Sequence, residues 1–115
     1  MLFRSLSMEP IAGLVETYIQ ANDLESALRE AEKILAFLES GSTLDGTEEP
    51  LRVYYACYQI LERKQDPRAR QILQAAMQLL ETQVSKFSDE NTRKRYIENI
   101  PWRRALNEAG RVRGV

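Results

Sequence analysis

The sequence predicts an all-α protein, a stack of two helical hairpins closed by a C-terminal capping helix pair. Between Ile11 and Leu38 apolar residues recur at three- and four-residue spacing on both sides of an Asn22-Asp23 break, the pattern of helix, turn and helix. The composition points the same way: 5 Gly and 4 Pro in 115 residues, with abundant Leu, Ala, Glu, Arg and Gln, favour helix over sheet. A hairpin with an apolar face on each helix cannot bury both faces alone, so it must stack on a neighbour.

At this length one domain, 1–115, is expected, with a first repeat over 8–40, a second, degenerate repeat over 50–87 and capping helices over 88–110. The first helix runs from about Glu9 to Ala21. Pro10 lies in its first turn, where a missing N–H is tolerated, and Ile11, Leu14, Val15 and Tyr18 form its packing stripe. The second starts after Asn22-Asp23, where a side-chain oxygen can cap the free N–H groups and Glu25 can reach back. It carries Leu24, Ala27, Leu28, Ala31, Ile34, Leu35 and Leu38 and stops at Ser40-Gly41, glycine accepting the left-handed terminal conformation. Residues 41–49 read as a polar loop.

Pro50 opens the third helix, whose Leu51, Val53, Tyr54, Cys57, Tyr58, Ile60 and Leu61 make an apolar arc wide enough to touch helices on two sides. Asp66-Pro67 restarts the chain as a fourth helix, with Ala69, Ile72, Leu73, Ala76, Leu80, Val84 and Phe87. Ser88-Asp89-Glu90 opens a fifth, bearing Tyr96, Ile97 and Ile100. Pro101 ends it and starts a sixth, with Trp102, Ala105, Leu106 and Ala109. Residues 111–115 show no apolar pattern and read as a frayed tail. Aligning Asp23 with Asp66 superposes the hairpins at an offset of 43 residues and sets Ala27 against Arg70, with Ala69 one position earlier. The second hairpin must therefore pack differently from the first.

The formal charge is −1, but it is unevenly distributed. Residues 1–50 hold 3 basic and 10 acidic side chains, and residues 92–115 hold 7 and 2. With no histidine, the chain can build no His-ligated metal site, no imidazole base and no Ser-His or Cys-His pair. Its single cysteine, Cys57, excludes an internal disulfide, suits a reducing compartment and falls on an apolar stripe, so it reads as structural. Gly41, Gly46, Gly110 and Gly114 follow no phosphate-loop spacing. The pairs Glu30/Glu32 and Glu48/Glu49 read as surface charges. The expectation is a protein that is not an enzyme, with no metal and no cofactor. The first seven residues are too short for a signal peptide and no stretch approaches the roughly 20 apolar residues of a membrane span, so a cytoplasmic location is expected.

Two stretches, Leu44 to Tyr54 and Asn91 to Arg104, carry a family resemblance. Together they resemble the C-terminal tetratricopeptide-repeat region of large bacterial signalling proteins, where such repeats follow an ATPase module, a LuxR-type regulator domain or a nucleotide cyclase. The family's closing motif is similar to Arg93, Tyr96, Ile97, Glu98, Asn99, Ile100, Pro101 and Arg104 here. The resemblance covers roughly Glu9 to Leu106. It implies a right-handed TPR-like helical-hairpin stack, an α-α superhelix whose last helix pair seals the apolar end. It further implies a protein–protein interaction module in signalling or transcriptional regulation. The sequence contains no nucleotide-binding or DNA-binding module, which leaves a piece of a longer protein or a small stand-alone remnant.

By the same resemblance, the first helix of each hairpin lines a concave groove for a peptide or protein partner. Mapped onto this chain, the groove holds Glu9, Ala12, Glu16, Ile19 and Gln20 from the first hairpin and Arg52, Tyr55, Gln59, Glu62 and Arg63 from the second. Two other uses remain open. The basic end, with Arg93, Lys94, Arg95, Arg103, Arg104, Arg111 and Arg113 near Tyr96 and Trp102, could attract a nucleic-acid backbone. The opposed charge of the two ends could favour a homodimer seeded by the apolar Leu2, Phe3, Leu6 and Met8.

Overall fold

The computed structural model describes residues 8–44 and 47–115, and the described residues contain six helices and no strand. They are α1 (Glu9–Gln20), α2 (Leu24–Glu39), α3 (Pro50–Arg63), α4 (Arg68–Val84), α5 (Glu90–Glu98) and α6 (Pro101–Arg113). None of these helices is long and apolar enough to cross a membrane.

The two hairpin turns are the same object built twice. Asn22 and Gln65 both take a positive φ, 61° and 57°. At each turn the following aspartate N–H reaches back to the last helical turn, Asp23 to the Tyr18 carbonyl at 2.8 Å and Asp66 to the Leu61 carbonyl at 2.9 Å. The left-handed residues themselves donate to the carbonyls of Ile19 and Glu62. This double bond pattern satisfies carbonyls that a helix end would otherwise leave open. Each aspartate then starts the next helix. The Asp23 carboxylate accepts from the Ser26 N–H at 3.2 Å, and that of Asp66 from the Arg68 N–H at 2.9 Å. Asp89 does the same for α5, accepting from the Thr92 N–H at 3.0 Å. Gly41 takes φ 92°, as expected of the residue that ends α2. Glu25 does not close the expected capping box; its carboxylate accepts from Lys64 Nζ at 2.7 Å instead.

α3 is the central helix, packed against α1, α2, α4 and α6. Half of it is buried: Leu51, Val53, Ala56, Cys57, Tyr58, Ile60 and Leu61. Tyr54, expected beside Tyr58 in the core, is only half-buried. In the second helices, the small buried residue is Ala27 in α2 and Ala69 in α4, with Arg70 exposed. The second hairpin thus shifts its packing by one position, as the alignment demands.

Three further expectations fail. In α1 the buried face is Ala12, Val15 and Ile19, while Leu14 is 45% exposed. The helix is turned toward α3, which buries Ala12 at the expense of Leu14. α4 stops at Val84, and Phe87 lies beyond it, 5.2 Å between ring centroids from Tyr96. The C-terminus is docked rather than frayed. α6 extends to Arg113, Gly114 takes φ 75°, and the Val115 N–H returns to the Gly110 carbonyl at 2.9 Å, repeating the hairpin-turn pattern.

α6 docks along α4 and α3 through a fully buried Leu106 and through Gly110, where a Cβ would stand 2.7 Å from Met77 Sδ. Arg113 donates to the Tyr58 hydroxyl at 3.0 Å and pairs with Glu62. Full burial of one leucine contributes about 1.5–3 kcal/mol, whereas an exposed ion pair contributes about 1 kcal/mol at most. Leu106 therefore holds α6 on the body, and the ion pair fixes its register.

Glutamine has a Cβ to accommodate at a left-handed φ and no local side-chain bond to offset it, so Gln65→Gly should raise unfolding stability by about 1 kcal/mol. Asn22→Gly should gain less, since asparagine tolerates this conformation. Urea melts would read both, and an unchanged or lowered midpoint for Gln65→Gly would count against the turn.

Arg68 forks onto two carboxylates, with 2.8 Å contacts to Glu32 and to Asp66. Its hydrogen bonds hold Glu32 below 4.5 and Asp66 below 3.8, their ordinary values. Both groups are more acidic folded than unfolded, so the folded chain binds fewer protons in acid. Their contribution is complete above pH 4.5 and disappears as pH falls below 3.8 and through the folded values. Arg68→Met should therefore lower stability at neutral pH and flatten its decline between those acid pH values. A parallel acid limb would contradict this.

Candidate functional site

α1, α3 and α6 enclose an open trough made of two adjoining cavities that share Tyr55 and Gln59. The first, of about 330 Å³, is bordered by Glu16, Ile19, Gln20, Arg52, Tyr55, Gln59, Pro101 and Trp102. The second, of about 460 Å³, continues past Glu62 and Arg63 on α3 to Ala105, Glu108, Ala109 and Val112 on α6. Glu16, Ile19, Gln20, Arg52, Tyr55, Gln59, Glu62 and Arg63 thus all border one surface. They do so because a helix returns to the same face every three or four residues, and 52, 55, 59, 62–63 repeat at that interval. Ala12 is fully buried, so it is core and not lining. Ile19 is 9% exposed and serves as floor.

The wall contributed by α6 is the part that the sequence did not assign. Trp102, Ala105, Ala109 and Val112 recur at three and four and lie beside the buried stripe of Leu106 and Gly110. Val112 is 74% exposed, a large apolar side chain open to solvent on the trough wall. The signal was legible as a second apolar stripe on one helix, but the reading of residues 111–115 as frayed concealed it.

The polar groups of the trough are largely neutralised in pairs. Arg52 Nη2 lies 2.8 Å from Glu16 Oε1, tying α3 to α1, and its guanidinium carbon stands 5.8 Å from the Trp102 ring centroid. Glu49, just before α3, accepts from Trp102 Nε1 at 3.2 Å and from Arg103 Nη2 at 3.5 Å, while its own N–H donates to Glu9 Oε2 at 3.0 Å. One glutamate thereby fixes the indole and joins the amino-terminal helix to α6. Burial, with the neighbouring Glu16 carboxylate second, pushes the Tyr55 phenol above its ordinary value, so the hydroxyl is a neutral donor and acceptor at any physiological pH.

The basic residues at the other end are mostly occupied. Arg93 donates to the Phe87 carbonyl and Arg104 to the Glu98 carbonyl at 3.0 Å, each covering a chain or helix end. Arg103 stacks 3.8 Å from the Tyr96 ring centroid and donates to the Tyr96 carbonyl at 3.3 Å. Arg95 is exposed and borders a shallow hollow with Phe87 and Tyr96. Of the seeds named for self-association, Leu2, Phe3 and Leu6 lie outside the described residues, and Met8 is buried in the core rather than open for docking.

Cys57 is 1% exposed, and burial pushes its thiol up to about 12, which leaves negligible thiolate at neutral pH. Glu30 pairs with Lys33 and Glu32 with Arg68. No group of three or more acidic or cysteine side chains suited to a metal occurs among the described residues. Family models, curated proteins and solved structures offer no match to this chain, so its site is read from geometry and chemistry.

Proposed function

We propose that the chain is a non-catalytic protein-interaction module that takes a peptide or protein segment in the trough between α1, α3 and α6. The observation that carries this reading is the convergence of side chains from three separate helices on one elongated concave surface. That surface mixes aromatic rings, free amides, small apolar groups and paired charges, the composition of a recognition surface. Its mechanism is binding alone. In this reading the helical pairs form a right-handed TPR-like stack in the regulatory part of a bacterial signalling or transcriptional-regulator protein, a reading supported by the resemblance of the closing motif. The duplicated left-handed turns at Asn22 and Gln65 support a repeat origin.

Nucleic-acid association through Arg93, Arg95, Arg103 and Arg104 is the weaker reading, because three of these guanidiniums already cap carbonyls or stack within the fold. Peptides selected on the chain from a random display library should lose about tenfold in affinity on Tyr55→Ala and on Val112→Asp, with far-ultraviolet dichroism unchanged. Failure to select any binder, or binders indifferent to both changes, would contradict the proposal.

A further inference from the structure

Most charged side chains facing the trough already have partners. Glu16 is paired with Arg52, Glu62 with Arg113 and Glu108 with Arg111. Arg63 differs. It is exposed at the rim, and among the described residues its guanidinium makes neither an ion pair nor a hydrogen bond. The trough therefore offers one uncompensated positive charge. A cationic residue seated there would meet a like charge with nothing to offset it, whereas a carboxylate would gain a charge-assisted bond.

The side-chain amides of Gln20 and Gln59 also make no hydrogen bond among the described residues, and both border the trough. Each offers donors and an acceptor at once. A helical ligand bonds its mid-helix backbone groups internally and could meet these amides only with side chains or its ends. An extended ligand presents unpaired N–H and C=O groups along its whole length and needs such partners. Beside these amides lie the Tyr55 ring, the pinned Trp102 indole and the open Val112 side chain, which cover apolar area.

We propose that the trough recognises an extended peptide segment in which an aspartate or glutamate adjoins apolar residues, the carboxylate meeting Arg63 and the backbone meeting Gln20 and Gln59. This rests on the interaction-module reading above and narrows it to one ligand chemistry. Arg63 and the Tyr55 ring border the same cavity, so a carboxylate at Arg63 lies beside the aromatic wall.

The same random-peptide selection tests it, read by composition. Trough binders, defined by their loss on Tyr55→Ala or Val112→Asp, should be enriched in Asp or Glu beside apolar residues and should tolerate proline at central positions, which a bound helix would not. Their affinity should fall about tenfold on Arg63→Glu and recover when the peptide's acid is replaced by lysine, while Arg63→Lys should retain most of it. Trough binders that are neutral or basic, intolerant of proline, or indifferent to Arg63→Glu would overturn this inference and leave the interaction-module reading standing. Absence of any trough-dependent binder would overturn both.

Discussion

Everything that makes this chain more than two helical hairpins depends on the seating of α6. A hairpin pair alone would present α3 with solvent on one flank and no second wall. Leu106, fully buried, supplies the apolar contact, and Gly110 lets the helix approach α4 to within van der Waals distance of Met77. Polar contacts then lock it at both ends. Trp102 and Arg103 meet Glu49 near the start of α6, and Arg113 meets Tyr58 and Glu62 near its end. A leucine fixes whether the helix docks, and the terminal contacts fix where its trough-facing stripe points.

The uneven charge of the sequence finds its first use inside the fold. Acidic side chains from the first half reach basic ones further along the chain, Glu16 to Arg52, Glu25 to Lys64, Glu32 to Arg68 and Glu49 to Arg103. These pairs are partly solvated and each adds little stability. Their value is positional, since each joins a different pair of segments and disfavours a slipped stacking register. Arg63, left out of this scheme, stands out for that reason.

The helices were legible because each carries its own punctuation. Asp23, Pro50, Asp89 and Pro101 mark starts that depend on local backbone chemistry, and local chemistry survives into the fold unchanged. The rotation of α1 was not legible, because Ile11, Leu14, Ala12 and Ile19 are all acceptable core residues and only the position of α3 selects among them. Phe87 looked helical by spacing but is used as a ring partner for Tyr96 beyond the end of α4. The candidate trough was legible on α3, whose exposed stripe repeats cleanly at helical spacing. On α6 the stripe Trp102, Ala105, Ala109 and Val112 is present at the same spacing, but a tail read as frayed over 111–115 hid its last member. The seating of that tail comes from Arg113, which meets Tyr58 and Glu62 some fifty residues away in sequence.

The most direct measurement is residue-resolved amide hydrogen exchange across α3 and α6 in the whole chain. If α6 is an integral wall, the amides of residues 106–110 should be protected to a degree comparable with those of α3 and should exchange through the same cooperative opening. Rapid exchange over 106–110 beside a well-protected α3 would mean that α6 is not seated, and a trough with a single wall would leave the account without its central surface.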